Sequence, residues 1–393
     1  MKILQVVLAF YPSKIWGGPP QNTYVLSRNL IARGHDVHIL TTNILDYRLY
    51  MSNKSIESIW MGIPVTYLKS YWWGKKQNSV GYIFAPEIWR YRRLIQNADV
   101  VHIHGYRNFL FTIVSLLAQF YKIPYIIQPR GALTSRFGRV HQKILFDQTI
   151  GYYLLRKASY AISLSDDENR DLIRAGVSVS RIAKIYNPLD PTIWSELPDG
   201  CHFKEKYQIN SNDKVILFLS RIHEKKGLDI LIEAFAGIDR TDIRLCIVGP
   251  DDGYLSTAKA LIHKYGIESK TIITGPLYDI EKLEAYRAAD IYVLPTRGGE
   301  GLPTTIIEAC YAGLPIIVTN TTEVSKIINN RIGFAVNDNP SDVRDAIIKL
   351  LNEPALSSHF HEHTKEILKQ YFNLDKAIDQ FENIYNSLVC RYS

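Results

Sequence analysis

The chain has 393 residues, 46% of them hydrophobic and 22% charged, which is ordinary for a globular protein and too long for a single core. No apolar run approaches the ~20 residues that span a bilayer, and four cysteines without a C-x-x-C pair exclude a zinc ribbon or a disulfide scaffold. Residues 1–190 carry 24 Lys and Arg against 11 Asp and Glu, and the remainder 22 against 28, so a basic half suited to nucleic acid or an anionic membrane precedes an acidic one.

The opening "KILQVVLAF" reads as a first strand. Its apolar core, Ile3 to Phe10, is short for a signal peptide and no small-residue cleavage site follows, so the expected location is the cytosol. A loop with Gly17 and Gly18 leads to a helix ending near Arg33, then the strand "DVHILTT". Next, Trp72, Trp73, Tyr82, Phe84 and Trp89 are interleaved with Lys75 and Lys76 and followed by Arg90, Arg92 and Arg93. Such a segment suits an interfacial patch, or equally a solvated loop with core aromatics. "ADVVHIHG" and "IPYIIQP" are short buried strands with a helix over 109–121 between them; "YAISLS", a charged helix start "DDENRDLIRAG" and "RIAKIYNP" follow. "NPLDPTIWSELPDG" at 187–200 has linker composition. The alternation then restarts with "KVILFLS", "IRLCIVGP", "KTIITG" and "DIYVLPT", with helices near 227, 255–265 and 280–288, and closes with "LPIIVTN" and "GFAVN". Continuous β-branched strands alternating with helices predict two doubly wound α/β domains with parallel sheets.

In such sheets the ligand crevice lies at the carboxyl ends of the strands, which is where the unusual residues fall. They include Gly17-Gly18, His104-Gly105, Arg130-Gly131, the cations Arg221, His223, Lys225 and Lys226, Gly249, and the segment "GGEGLPTTIIEACYAG". That segment predicts a loop turning into a helix at Pro303, with Glu300 before the helix and Glu308 inside it. Free N–H groups between two carboxylates suit a ligand carrying both phosphates and hydroxyls. Arg221 and Lys226 bracket a strand-to-helix loop, where fixed positive charge would meet a diphosphate. No G-x-G-x-x-G follows a strand, no P-loop occurs, and no Asp-x-Asp occurs, which argues against metal-assisted chemistry. His359, His361 and His363 alternate along a helix and point in different directions, unlike metal ligands.

"SRIHEKKGLDILIEAF", "ITGPLYDIEKLEAYRAADIYVLPT" and "EGLPTTIIEACYAGLPIIVTN" resemble the retaining glycosyltransferases of family 4 (group 1 enzymes of cell-surface polysaccharide synthesis), whose E-x7-E pair matches Glu300 and Glu308. The resemblance implies the GT-B fold, two Rossmann-like domains facing a central cleft. The division would be 1–190 for the acceptor, 191–370 for the nucleotide sugar, and a C-terminal helix within 371–393 returning to the first domain. It further implies that Glu308 binds the donor ribose and Glu300 the sugar. Arg221 and Lys226 would hold the diphosphate together with Gly18 and the backbone of Gly301, Leu302, Pro303 and Thr304; Gly17 and Gly249 are further donor-side candidates. Arg130 stands where many members carry a histidine, leaving sugar contact, phosphate contact or structural support open. His104 and Asn187 are acceptor-side candidates, with a satisfied strand histidine as the other reading of His104. The implied reaction is metal-free transfer of a hexose from a UDP- or GDP-sugar to a glycan, probable carrier a polyprenyl diphosphate, on the cytoplasmic face of the inner membrane, in O-antigen, capsule or lipopolysaccharide synthesis, with no cofactor and no nucleic-acid partner. The alternatives are a sugar-nucleotide epimerase on the same fold and a non-catalytic membrane- or nucleic-acid-binding module.

Overall fold

The computed structural model describes residues 1–13, 17–46, 49–73, 82–133, 140–298 and 302–392. The chain divides into two compact units, Met1–Leu189 with Asn373–Ser393, and Asp190–Phe372.

The first unit contains strands β1 (Lys2–Val7), β2 (Asp36–Thr42), β3 (Ile44–Asp46), β4 (Leu49–Tyr50), β5 (Ile56–Trp60), β6 (Ile63–Leu68), β7 (Tyr71–Trp73), β8 (Tyr82–Phe84), β9 (Val100–His104), β10 (Tyr125–Gln128), β11 (Tyr160–Ser163) and β12 (Ile182–Lys184). Its helices are α1 (Gly18–Ala32), α2 (Arg92–Gln96), α3 (Phe109–Phe120), α4 (Val140–Phe146), α5 (Tyr152–Lys157) and α6 (Asp166–Arg174). An 8-stranded sheet runs β12-β11-β10-β9-β1-β2-β6-β5. Beyond Lys2 every residue of β1 is buried, because helices cover both faces of the parallel sheet. β1 pairs in parallel with β2 on one side and with β9 on the other, so the direction of winding reverses between β1 and β9. β5 pairs antiparallel with β6 and closes one edge, and its mostly exposed residues explain why no buried-strand pattern marks it in the sequence.

The last helix, α15 (Leu374–Tyr392), packs on this unit through Ile378, Phe381, Tyr385 and Leu388, spaced as one helical stripe. They meet Ile3, Val100, Ile126 and Ile162 of the sheet and Leu26 and Leu30 of α1. Burying such side chains contributes about 1.5–3 kcal/mol each.

The second unit contains β13 (Lys214–Leu219), β14 (Ile243–Val248), β15 (Thr271–Gly275), β16 (Ile291–Leu294), β17 (Ile316–Thr319) and β18 (Gly333–Val336). These form one sheet in the order β15-β14-β13-β16-β17-β18, all parallel, so winding reverses between β13 and β16. Its helices are α7 (Cys201–Lys206), α8 (Leu228–Ala236), α9 (Leu255–Lys264), α10 (Asp279–Ala288), α11 (Thr304–Tyr311), α12 (Ser325–Ile328), α13 (Pro340–Asn352) and α14 (Pro354–Tyr371). The boundary between the units, Leu189 to Asp190, falls inside the segment 187–200. Trp194 is buried, with its ring 6.0 Å from Tyr311 and 5.5 Å from Tyr286, so the apolar residue inside the Pro- and Asp-rich stretch anchors it to the second unit.

Candidate functional site

In the second unit the unusual residues gather at the reversal between β13 and β16. The loop leaving β13 carries Arg221, His223 and a 3-10 turn, Glu224–Lys226, ended by Gly227 in the left-handed region. A Cβ at Gly227 would lie 1.9 Å from Pro295 O, so glycine is required where this loop crosses the exit of β16. Arg297 ties the two exits together: its backbone N–H donates to Lys225 O at 2.9 Å, and its guanidinium bonds both Glu224 O at 3.0 Å and the Asp229 carboxylate. Lys226 is buried and Arg221 is half exposed, its guanidinium bonded to the buried Asp252 carboxylate. The His223 imidazole is held neutral, first by burial, and its Nδ1 accepts from Lys225 N.

Pro303 is the N-cap of α11, at the helix start that the sequence predicts, and among the described residues no side chain caps the helix, which leaves donors of its first turn available. Tyr292 of β16 fixes this terminus, its hydroxyl lying 2.7 Å from Thr305 Oγ1 and 3.2 Å from Leu219 O at the end of β13. The uncapped helix start is thereby held beside the root of the cationic loop. Glu308, a turn and a half inside, is buried. Its Oε1 accepts from Lys282 Nζ at 2.7 Å and its Oε2 from Tyr286 Oη at 2.9 Å. A carboxylate has about four acceptor positions, so room remains for a pair of vicinal hydroxyls. Lys282 and Tyr286 are functional neighbours that sequence reading missed. Their offsets from Glu308 match no motif; only the helical spacing of α10 places both on one face.

Two donor-side candidates have structural tasks. Gly249 approaches Ser220 so closely that a Cβ would lie 1.8 Å from Ser220 O, and its N–H is taken by Gly275 O. Leu302 is buried. Glu300 and Gly301 lie outside the described residues.

In the first unit, the loops leaving β1, β9 and β10 converge at the carboxyl edge. Gly17 has φ 65° and open space where a Cβ would stand, and α1 begins at Gly18 without a side-chain cap. Pro19 and Pro20 follow, so two backbone donors that an anion would use at this helix start are absent. Arg130 sits at φ 57°, in the left-handed region, a strain that a bulky residue bears only when its surroundings fix it. Its Nη2 donates to His104 Nδ1 at 2.7 Å and its Nη1 reaches Asn22 Oδ1 at 3.3 Å. Burial pushes its guanidinium down to about 9. Among the described residues no carboxylate lies within ion-pair distance of it. Glu168 is near enough to be felt, but its two oxygens accept from Gly131 N and Leu164 N, and burial pushes its carboxyl up to about 7.

Arginine only donates, so the proton positions of a whole chain follow. His104 accepts at Nδ1 and must donate from Nε2 to Gln5 Oε1, 2.5 Å away. Gln5 Nε2 lies 3.4 Å from Tyr385 Oη, and the Tyr385 hydroxyl donates to His102 Nδ1 at 2.7 Å. Burial holds both imidazoles neutral, with Arg130 adding to it. With both ring nitrogens occupied, His104 supports Arg130 and does not present itself as an acceptor-side group. Asn187 is buried with no partner for its Oδ1.

The remaining sequence candidates are dispersed. His361 Nδ1 lies 2.8 Å from Gly313 O, while the His359 and His363 rings are 4.1 Å apart. Cys246 and Cys310 are core residues, and Cys201 and Cys390 are free and exposed. Within the aromatic-basic segment Ile83 and Ile88 are buried, Phe84 and Trp89 exposed; Lys75, Lys76 and the side chains of Trp72, Trp73 and Tyr82 lie outside the description.

Two family models cover most of the chain. Residues 17–188 match "Glycosyl transferase 4-like domain" and residues 202–367 match "Glycosyl transferases group 1". An uncharacterised glycosyltransferase of Methanocaldococcus jannaschii, MJ1069, is 26% identical over 62% of this chain and 62% of its own length. The N-acetyl-alpha-D-glucosaminyl L-malate synthase of Bacillus anthracis is 22% identical over 97% of this chain and 96% of its own. Anabaena Alr3699/HepE, solved in complex with UDP and glucose, superposes with a TM-score of 0.79 at 17% identity, covering 98% of this chain and 100% of that one. The chain belongs to the group 1 glycosyltransferases and has their GT-B fold.

Proposed function

We propose that the protein is a retaining, metal-independent hexosyltransferase. It would use a UDP- or GDP-sugar to extend a glycan, borne by a lipid carrier, in cell-surface polysaccharide synthesis at the cytoplasmic face of a membrane. The observation that carries the reading is the second unit's reversal point, where the Arg221–Lys226 loop, the uncapped start of α11 and the Glu308 carboxylate share one edge. A carboxylate fits ribose hydroxyls; cations and free N–H groups fit a diphosphate. The bond from the sugar's C1 to the diphosphate oxygen breaks as that of the acceptor oxygen to C1 forms on the same face. The acceptor proton passes to the leaving phosphate. The diphosphate gains charge in this step, and each preorganised donor facing it stabilises the transition state by about 3 kcal/mol. HepE, as a holder of UDP and glucose, supports a uridine donor.

The test is product analysis with a panel of UDP- and GDP-sugars, with and without a chelator. Release of the nucleoside diphosphate with retained anomeric configuration in the glycoside is expected. Inversion, or activity lost to the chelator and restored by magnesium or manganese, would sink the mechanism. Interconversion of the donor without transfer would favour the epimerase.

A further inference from the structure

Helix α3 has no charged residue in twelve, and only part of its surface is covered. Leu110, Phe111, Val114, Leu117 and Ala118 face the core. On the outer side Leu116 and Phe120, one turn apart, are 36% and 77% exposed, and Phe120 is the most exposed large apolar side chain among the described residues. At the other end of the helix the Phe109 ring lies tilted against that of the exposed Phe84, ring centroids 5.1 Å apart, which extends the apolar stripe.

Both flanks of this stripe are basic. The 3-10 turn Pro86–Tyr91 and α2 pack along one side and present Arg90, Arg92 and Arg93 to solvent. On the other side α5 is joined to α3 by the Tyr153 hydroxyl, which donates to Gln119 Oε1 at 2.9 Å, and it exposes Arg156 and Lys157. Lys122 is exposed just past the helix. Neither α2, α3 nor α5 carries an acidic residue; Glu87 of the adjoining turn is bonded to Ser55 and lies 3.9 Å from Arg90, which leaves Arg92 and Arg93 as the uncompensated charge of that flank among the described residues.

We propose that the α2–α3–α5 face of the first unit docks on an anionic lipid surface, with Leu116 and Phe120 entering the acyl boundary. The proposal deepens the membrane setting of the proposed function and rests on that part of it alone; transfer is read separately. Aliphatic and phenyl groups at the centre of the face favour hydrocarbon over nucleic acid, whose backbone would leave them in water. Like charge on both flanks opposes a second copy of the same face. Basic residues near an anionic leaflet each strengthen binding, and the apolar stripe adds attraction that salt does not screen.

The test is flotation of the full chain with phosphatidylcholine vesicles, with and without phosphatidylglycerol, in the absence of donor and acceptor. Binding is expected only with the anionic lipid, falling as salt rises. The double substitution Arg92→Glu, Arg93→Glu should weaken it at least about 30-fold, taking a factor of about five per basic residue at the surface. Phe120→Ser, at a position too exposed to matter for folding, should lower the salt-resistant part of the binding. Lys259→Glu with Lys264→Glu, the same charge change on α9, should leave binding intact. Equal binding to neutral vesicles, an equal loss in the α9 variant, retention in both face variants, or displacement by single-stranded oligonucleotide would each overturn the proposal. A monomer–dimer shift on Phe120→Ser without loss of vesicle binding would assign the face to self-association instead. Vesicle binding without any transfer would leave this proposal standing and count against the transferase reading alone.

Discussion

The carboxyl edges of the two units differ in how one central cation is compensated. In the second unit Arg221 meets Asp252, Arg297 meets Asp229, and the buried Glu308 meets Lys282. In the first unit Arg107 likewise meets Asp147, but among the described residues Arg130 has only neutral partners, His104 and Asn22. A matched set of ion pairs is finished before any ligand arrives and holds its groups in place. A buried cation served only by neutral acceptors is incompletely compensated, and it gains most when an anionic group approaches. Under the proposed function the second edge would serve as a rigid receptor, and Arg130 would find its complement in an anionic group of the substrate.

The most damaging change should be to the rigid edge. Lys226→Ala should reduce the transfer rate constant by about 100–1,000-fold, the usual cost of removing one preorganised group that faces developing charge. Steady-state transfer rates check this. A loss confined to KM would mean that Lys226 holds the donor without favouring the transition state.

Arg130→Gln sharpens the contrast, because activity and stability should move apart. A glutamine amide can still donate to His104, but the charge is gone. The expected loss in kcat/KM is about 10–100-fold, from one charge-assisted contact worth about 1.5–3 kcal/mol. Thermal stability should hold or rise by about 1 kcal/mol, since an unmatched buried charge is removed. If stability instead falls by several kcal/mol while activity per folded molecule is kept, Arg130 is structural support and the contrast between the edges fails.

The strand pattern was legible from the sequence because buried parallel strands are runs of β-branched residues: "KILQVV" and "KVILFL" announce β1 and β13, and the loops that follow them hold the cations. Strands β5 and β6 and the β3–β4 and β7–β8 ribbons were not read: β5 is mostly exposed, β6 carries Pro64, and the ribbon strands have only two or three residues each. At the site, Glu308 and Lys226 were marked by their positions in strand-exit loops and a helix start. Lys282, Tyr286, Asp252 and Tyr292 were not, because each reaches its partner across the fold from another element, and no local spacing encodes such a meeting. For His104 the sequence left two readings, an acceptor-orienting group and a satisfied strand histidine, and the occupied ring nitrogens favour the second.

Glu308 shows why that hidden layer matters. Truncating Glu308 itself would strand Lys282 and Tyr286 as well as remove a ribose contact, so lost affinity and lost fold would be confounded. Tyr286→Phe keeps the ring and deletes only the hydroxyl that fixes Oε2. Nucleoside diphosphate affinity should fall by about 1 kcal/mol, roughly fivefold, with one hydrogen bond lost to a charged acceptor that the ligand must share. Titration calorimetry with UDP and GDP reads it. Unchanged affinity would show that Lys282 alone orients the carboxylate.

The smallest effect returns to the uncompensated edge and concerns pH. Glu168 anchors Gly131, the residue after Arg130, and burial pushes its carboxyl up to about 7, with Asp171 adding to the rise and Arg130 and two backbone N–H bonds opposing it. The unfolded chain ionises this group near 4.5. Below that pH both states hold the proton and the native state has its full stability. As pH rises the unfolded state releases the proton first, so stability declines between 4.5 and about 7 and then levels. The full interval would be worth at most about 3 kcal/mol, and local relaxation should bring the observed loss nearer to about 1 kcal/mol. Glu168→Gln removes this titration and should flatten thermal stability between pH 5 and about 7.5 relative to the parent, at a constant cost from the amide's single acceptor oxygen. If parent and variant run parallel across that range, Glu168 is ionised throughout. Arg130 then has a closer counter-charge than its neutral partners indicate, and the difference between the two edges is one of degree.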